Sequence, residues 1–167
     1  MKTLYIIRHA KSSWGDFTTP DFERPLNERG KRDAPVMAER LRDKDGKISL
    51  FISSPAKRAM KTCKAFCKEY NYDEDKILFK QELYHASVET FYQVIGSIDD
   101  SHKNAALFSH NPGITDFVNS MGTDVEIDNM PTCGIFGVSV NTDHWNEFKS
   151  AEKKCVLFDY PKFSESK

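Results

Sequence analysis

The sequence has no apolar run near the roughly 20 residues that a helix needs to cross a bilayer, and it has almost no net charge. Its 24 Lys and Arg residues and 25 Asp and Glu residues leave a formal net charge of −1. This balance argues against a general nucleic-acid binder and against a protein of membrane surfaces. The sequence also has no internal repeat and no low-complexity linker. We therefore expect one globular domain over residues 1–167, with no nucleic-acid or membrane partner.

Cysteine is scarce, with four residues in the chain. Cys63 and Cys67 lie one helical turn apart, a spacing that can share a metal ion, but no further Cys or His lies near them in the sequence. The first residues lead directly into an apolar run, without the features of a signal peptide. We therefore expect reduced core cysteines in a cytoplasmic protein, with a metal site or a disulfide as the alternative.

Short apolar runs alternate with segments of helical periodicity along the chain. The predicted strands are 4–7, 50–52, 77–79, 105–108, 135–140 and 154–158, and the predicted helices are 28–42, 56–70, 88–95 and 114–121. Asn27 and Ser54 are suitable N-caps, and Pro55 suits a first helical position. This alternation predicts the α/β class, as a three-layer αβα sandwich with a mostly parallel central sheet. The hairpin-like end predicts at least one antiparallel strand.

Polar side chains that suit phosphate chemistry follow three of the predicted strands. Arg8 and His9 come directly after strand 4–7, Arg58 lies on the helix after the second strand, and His110 follows the fourth. The carboxyl ends of parallel strands share one edge of a sheet, where ligands bind. An Arg fork suits a phosphoryl group, and a neutral imidazole can attack one. The alternative for each residue alone is a solvated polar side chain at a strand end.

Four blocks of the sequence resemble the histidine phosphatase superfamily, also called the phosphoglycerate-mutase-like superfamily. The blocks are Ile7-Arg8-His9-Ala10, Arg24-Pro25-Leu26-Asn27-Glu28-Arg29-Gly30, Ser53-Ser54-Pro55-Ala56-Lys57-Arg58-Ala59 and Ser109-His110-Asn111-Pro112-Gly113. Residues 22–26 and 82–84 are most similar to the SixA-like phosphohistidine phosphatase branch. The resemblance extends from the first strand to about residue 132 and covers most of the chain.

The resemblance implies a role for each of the four central side chains. His9 would be the nucleophile and would become transiently phosphorylated. Arg8 and Arg58 would hold phosphoryl oxygens and stabilise the charge of the transition state. His110, if protonated, would add a cationic donor. These groups would neutralise charge without a metal ion, so the resemblance implies no metal and no other cofactor.

Three further residues receive roles from the resemblance. Arg24 would reach the site from the long loop 11–26 and form its outer wall, and Asn111 would be a phosphate ligand. Glu82 occupies the usual general-acid position of the family, where a carboxylic acid protonates an ester leaving group. The alternative for Glu82 is a surface residue at a strand–helix junction.

Three functions compete at this point. The first is a phosphatase for phosphohistidine on a signalling protein, because the short connections after Arg58 and Glu82 leave no room for a large lid domain. The second is a phosphomonoesterase for a small metabolite, with Glu82 as its acid. The third is a non-catalytic module that binds phosphorylated ligands, and it would not need the intact nucleophile His9.

Overall fold

The computed structural model describes residues 1–14 and 18–161. Its strands are β1 (Lys2–Arg8), β2 (Leu50–Ser53), β3 (Leu78–Phe79), β4 (Asn104–Ser109), β5 (Ile135–Val140) and β6 (Lys153–Asp159). They form one sheet in the order β3-β2-β4-β1-β5-β6. The strands β1 to β4 are mutually parallel, whereas β5 pairs antiparallel with both β1 and β6. The predicted mostly parallel sheet with an antiparallel end is confirmed.

Helices cover both faces of this sheet. They are α1 (Glu28–Lys44), α2 (Lys57–Glu69), α3 (Val88–Gly96) and α4 (Gly113–Ser120). α1 and α2 pack together over one buried apolar cluster, and α3 and α4 pack over a second cluster on the opposite face. The α/β class and its three layers are therefore as predicted, and the ends of the elements differ from prediction by one or two residues.

The start of α2 differs from the prediction. Ser54 is not the N-cap, since Ala56 holds that position without a side-chain hydrogen bond. The hydroxyl of Ser54 instead accepts the backbone N–H of Ala56 at 3.2 Å, which closes a tight turn before the helix. By contrast, Asn27 caps α1 as predicted, because its side-chain oxygen accepts the N–H of Gly30 at 2.9 Å.

Three of the four cysteines lie in the core. Cys63, Cys67 and Cys133 are free and buried, and the free Cys155 is half-buried. In the described ranges 1–14 and 18–161, no helix is both long and apolar enough to span a membrane.

The long loop after β1 is held against the start of α1. Ser12 and Leu26 form an isolated antiparallel bridge, and the backbone N–H of Asn27 donates to the carbonyl oxygen of Lys11 at 3.0 Å. A Cβ atom at Gly30 would lie 2.1 Å from that same carbonyl oxygen. Glycine at this position therefore allows the loop to approach the helix closely.

We expect Gly30→Ala to destabilise the protein by about 1–3 kcal/mol, because the added methyl group forces Lys11 and the loop away from α1. The matched control is Gly96→Ala at the end of α3, where a Cβ would have no neighbour closer than 3.9 Å. The control should be neutral or stabilising by up to about 1 kcal/mol, since alanine favours a helix over glycine. Urea unfolding measures both, and equal effects at the two sites would contradict the close-approach argument.

Candidate active site

A cavity of about 310 Å³ opens at the carboxyl edge of the parallel strands. It is lined by Arg8, His9, Lys11, Ser12, Trp14, Asp21, Arg24, Arg58, His85, His110, Asn111 and Thr132. Of the residues predicted from sequence, six reach the cavity: Arg8, His9, Arg24, Arg58, His110 and Asn111. The seventh, Glu82, does not line it.

His9 is held rigidly just beyond β1. Its backbone N–H donates to the carbonyl of Ser109 at 3.2 Å, and its carbonyl accepts the N–H of Cys133 at 3.0 Å. Its ring Nδ1 lies 2.8 Å from the carbonyl oxygen of Ala10. Because a carbonyl oxygen only accepts, Nδ1 carries the hydrogen and Nε2 presents a lone pair. This tautomer leaves Nε2 as the nucleophilic atom.

The imidazole of His9 is neutral at physiological pH. Burial, together with the positive charges of Arg58 and Arg8, lowers its pKa from 6.5 to about 3, although the hydrogen bond to Ala10 acts in the opposite direction. A neutral ring needs no separate base to become a nucleophile. The ring of His9 is therefore able to act as a nucleophile without first losing a proton.

The two inner arginines are held by hydrogen bonds that leave one donor of each unpaired among the described residues. Arg8 donates from Nη1 to the carbonyl of Met130 at 2.8 Å, and Arg58 donates from Nη1 and Nη2 to Asp21 at 2.7 and 3.0 Å. Among the described residues, the Nε atoms of Arg8 and Arg58 are buried without a hydrogen-bond partner, as is Nδ1 of His110. Buried unpaired polar groups cost free energy. The three side chains that carry these unpaired nitrogen atoms all line the cavity.

His110 faces His9 across the cavity, with 5.2 Å between the ring centroids. Its Nε2 lies 2.7 Å from the hydroxyl oxygen of Ser54, which also accepts the N–H of Ala56. The hydroxyl proton is then available for Nε2, and in that arrangement Nδ1 carries the ring hydrogen. Burial, His9 and Arg58 lower the pKa of His110 to about 2. His110 is therefore a neutral donor in the free site rather than the cation considered from sequence.

Asp21 is the site residue that the sequence reasoning missed. Its carboxylate accepts hydrogen bonds from Arg58 at 3.0 Å, from Arg24 at 3.0 Å and from the hydroxyl of Tyr84 at 2.6 Å. Burial by itself would raise the pKa of Asp21, but Tyr84 and Arg58 hold it well below the usual range for aspartate. The signal in the sequence was the spacing Asp-x-x-Arg of residues 21–24, which places both side chains on one short 3-10 turn.

Arg24 forms the outer wall of the cavity, as the resemblance implied. Its Nη1 donates to the hydroxyl of Ser12 at 2.9 Å, and its guanidinium carbon lies 3.5 Å from the centroid of the Trp14 ring. Trp14 itself is 77% exposed. The rim of the cavity therefore presents an aromatic surface to solvent, next to residues 15–17, which lie outside the described part of the chain.

Asn111 and Glu82 do not take the positions expected of ligands. The Asn111 amide donates to the carbonyl of Met130 at 3.1 Å, and its oxygen accepts the N–H and hydroxyl of Thr115 at 3.2 and 2.8 Å, so it ties the start of α4 to a loop. Glu82 is exposed on the short 3-10 helix Gln81–Leu83. Because Leu83 is buried and each residue of such a helix turns by about a third of a circle, Glu82 points away from the core.

We expect the free energy of unfolding to fall as the pH drops from about 6.5 to about 4. In this window His9 and His110 remain neutral in the folded protein, with pKa values of about 3 and about 2, but bind protons in the unfolded chain. The unfolded state therefore gains protons, which costs stability by up to about 1.4 kcal/mol per pH unit for each histidine.

Urea unfolding at several pH values measures this slope. His110→Asn should flatten it, whereas the exposed His85→Asn should leave it unchanged. A slope that was the same in wild type and His110→Asn would contradict the neutral assignment of His110.

The family model of the histidine phosphatase superfamily (branch 1) matches residues 4–83, the segment that contains His9, Arg24 and Arg58. Over this segment, just under half of the chain, the sequence is similar to the histidine phosphatase superfamily, and the fold and the residues that line the cavity agree with that similarity.

Solved structures of SixA proteins have the same fold. A SixA protein of Agrobacterium tumefaciens, assigned as a phosphohistidine phosphatase, has a TM-score of 0.78 and 25% identity, over 96% of this chain and 98% of that one. The protein histidine phosphatase SixA in complex with tungstate has a TM-score of 0.75 and 20% identity, over 95% and 94% of the two chains. A mycobacterial glucosyl-3-phosphoglycerate phosphatase has a TM-score of 0.71 and 13% identity, over 96% and 100%. At these lower identities the likeness shows the fold alone.

Two proteins of similar sequence carry no activity in their names. An uncharacterized chloroplastic protein of Arabidopsis thaliana is 38% identical over 64 residues, which are 38% of this chain and 29% of that protein. An uncharacterized protein of Mycobacterium leprae is 26% identical over 93% of this chain and 100% of its own length. The chain thus spans less than a third of the Arabidopsis relative, and neither similarity identifies a substrate.

Proposed function

We propose that the protein hydrolyses phosphohistidine on a protein substrate through a phosphorylated His9. One observation carries the proposal: a neutral His9 lines one cavity with Arg8, Arg58 and His110, and Nε of Arg8, Nε of Arg58 and Nδ1 of His110 are buried with no partner among the described residues. Nitrogen donors around one nucleophile match a phosphoryl group, whose equatorial oxygens need hydrogen bonds and positive charge during transfer. The arginines supply the charge that metal ions supply in other phosphoryl-transfer sites, so the proposed reaction is metal-independent.

In the first step the lone pair of His9 Nε2 forms a bond to phosphorus. The bond from phosphorus to the substrate imidazole breaks, and its electron pair returns to that ring. The substrate ring leaves as neutral imidazole, because its other nitrogen already carries a proton. Phosphorylated His9 is positively charged on the ring, and the Nδ1–H bond to the carbonyl of Ala10 stabilises that charge.

In the second step water attacks phosphorus opposite His9. The bond from phosphorus to Nε2 breaks, its electron pair returns to His9, and one proton of the water passes to solvent or to the phosphate product. Arg8 and Arg58 stabilise the oxygens in both steps. The resting tautomer of His9 is thereby restored.

The lack of a proton-donating acid among the described residues of the cavity favours phosphohistidine over a phosphate ester as the substrate. Among the described residues that line the cavity, Asp21 is the only acid, and its hydrogen bonds with Arg58, Arg24 and Tyr84 keep it ionised. An ionised carboxylate cannot protonate a leaving alkoxide, a task that needs a positioned acid. A phosphoramidate leaving group has no such requirement. The esterase alternative depends on Glu82, which lies outside the cavity.

The open rim with exposed Trp14 suits a side chain carried on a folded partner. A phosphohistidine-bearing signalling protein is the partner we propose, with a role in signal transduction. A cytoplasmic location agrees with the free cysteines Cys63, Cys67 and Cys133.

A phosphorylated His9 is directly testable. Brief reaction with phosphohistidine labelled on phosphorus, followed by denaturation, should leave label on His9 that is lost in acid and kept in base. His9→Ala should lose the label and reduce kcat/KM by several orders of magnitude, as for other covalent nucleophiles. The matched control is His102→Ala, whose ring bonds Ser49 far along the sheet from the cavity. Activity of His9→Ala within tenfold of wild type would remove the covalent mechanism.

Substrate choice is tested with free phosphohistidine and an alkyl phosphate at matched pH. We expect the kcat/KM of wild type to be at least about 10² higher for phosphohistidine than for the alkyl phosphate. A positioned general acid typically contributes at least this factor to ester hydrolysis, and the cavity lacks one among its described residues. Glu82→Gln should change neither substrate by more than about threefold, because the side chain does not reach the cavity. A selective loss of ester hydrolysis in Glu82→Gln would instead support the esterase with Glu82 as its acid.

A further inference from the structure

A second groove of about 320 Å³ adjoins the cavity and is not used by the proposed reaction. It is lined by Arg8, Lys11, Arg29, Asn129, Pro131, Thr132, Tyr160 and Pro161. Arg8, Lys11 and Thr132 also line the catalytic cavity, so the two spaces are continuous. A ligand in the groove would therefore lie beside a phosphoryl group bound at His9.

The groove is positively charged. Arg8, Lys11 and Arg29 line it, and no acidic side chain does so within the described part of the chain. Arg29 pairs with Asp33, one helical turn away on α1, through its Nε at 3.4 Å. Among the described residues, the two Nη groups of Arg29 and the ammonium of Lys11 have no hydrogen-bond partner. Several cations in a groove with no acidic lining residue among the described ones favour binding of an anion.

The backbone at Lys11 and at Arg29 is held in place by the packing of the loop against α1. The carbonyl of Lys11 accepts the N–H of Asn27 at 3.0 Å, and it lies where a side chain at position 30 would be, so Gly30 brings Lys11 against the first turn of α1. Arg29 is on that same first turn. The packing of loop on helix thus brings the two positive side chains to one groove, and this reduces the entropy lost when they bind one ligand.

We propose that this groove binds an acidic side chain, Asp or Glu, that flanks the phosphohistidine in the protein substrate. The inference rests on the proposed function and adds a specificity determinant to it. Adjacent residues of an extended peptide are about 3.3–3.6 Å apart, so a neighbour of the phosphohistidine within two positions can enter a groove that shares Arg8 with the cavity. Arg29 offers a carboxylate two parallel N–H donors from its Nη groups, and Lys11 offers a point charge.

The test compares phosphohistidine peptides that differ only near the phosphorylated residue. One Asp is placed in turn at each position from two before to two after it, and the matched peptides carry Asn. We expect at least one Asp peptide to have a kcat/KM about fivefold above its Asn partner, through KM rather than kcat, which is the size typical of a partly exposed charge pair. Added salt should reduce the difference.

Substitutions on α1 test whether the groove is responsible for the preference for Asp peptides. Arg29→Gln should bring the ratio of Asp to Asn peptides close to one, Arg29→Glu should reverse it, and Arg29→Lys should keep most of it. Arg32→Gln is the matched control, since Arg32 is exposed on α1 and does not line the groove; it should retain the wild-type ratio. Thermal unfolding of each variant separates a binding effect from loss of fold.

The outcomes separate this inference from the proposed function. If neither free phosphohistidine nor any phosphohistidine peptide is hydrolysed, the proposed function fails. If the peptides are hydrolysed but Asp and Asn peptides have equal kcat/KM at every position, or if the preference survives Arg29→Glu, the groove is not the acidic subsite. Phosphoglycolate and ethyl phosphate form a further pair, and a preference for the carboxylated ester without one among peptides would overturn the protein source of the carboxylate.

Discussion

Repulsion between buried guanidinium groups is the constraint on which this site depends. Burial and the nearby charge of Arg58 both lower the pKa of Arg8, which shows that the two cations are costly to hold together. Asp21 offsets part of this cost, because its carboxylate and its backbone carbonyl both bind Arg58. Asp21 binds the Nη atoms of Arg58, so the Nε atom of Arg58 has no partner among the described residues. Asp21 thereby holds Arg58 in place beside the cavity.

Burial, together with the same positive charges, lowers the pKa of His9. A buried imidazole beside Arg8 and Arg58 does not protonate near neutral pH, and the carbonyl of Ala10 selects the tautomer with Nε2 free. A hydrogen-bond chain also links the residue after His9 to Arg58: the N–H of Ala10 donates to the hydroxyl of Thr62 at 2.9 Å, which donates to the carbonyl of Arg58 at 2.8 Å. The tautomer of His9 and the position of Arg58 thus depend on one buried cluster, and a change in any member alters the others.

Residues that follow strands were the most predictable from sequence. Arg8, His9 and His110 each follow an apolar run directly, so the parallel sheet brings them to one edge whatever the loops do. Asp21 and Ser54 were not predicted in their roles, because their partners Arg58, Tyr84 and His110 lie far from them in the sequence. Glu82 was expected at the site, but burial of its neighbour Leu83 turned it outward.

The order and type of the elements, the mostly parallel sheet and the positions of the arginines and histidines at its edge were thus determined by the sequence itself. Their causes are local, since apolar periodicity and strand ends are properties of neighbouring residues. The tertiary structure decided the protonation of His9 and His110, the bridge through Asp21 and the basic groove at Arg29. These features depend on burial and on charges that are distant in the chain, and desolvation arises only when the chain has packed.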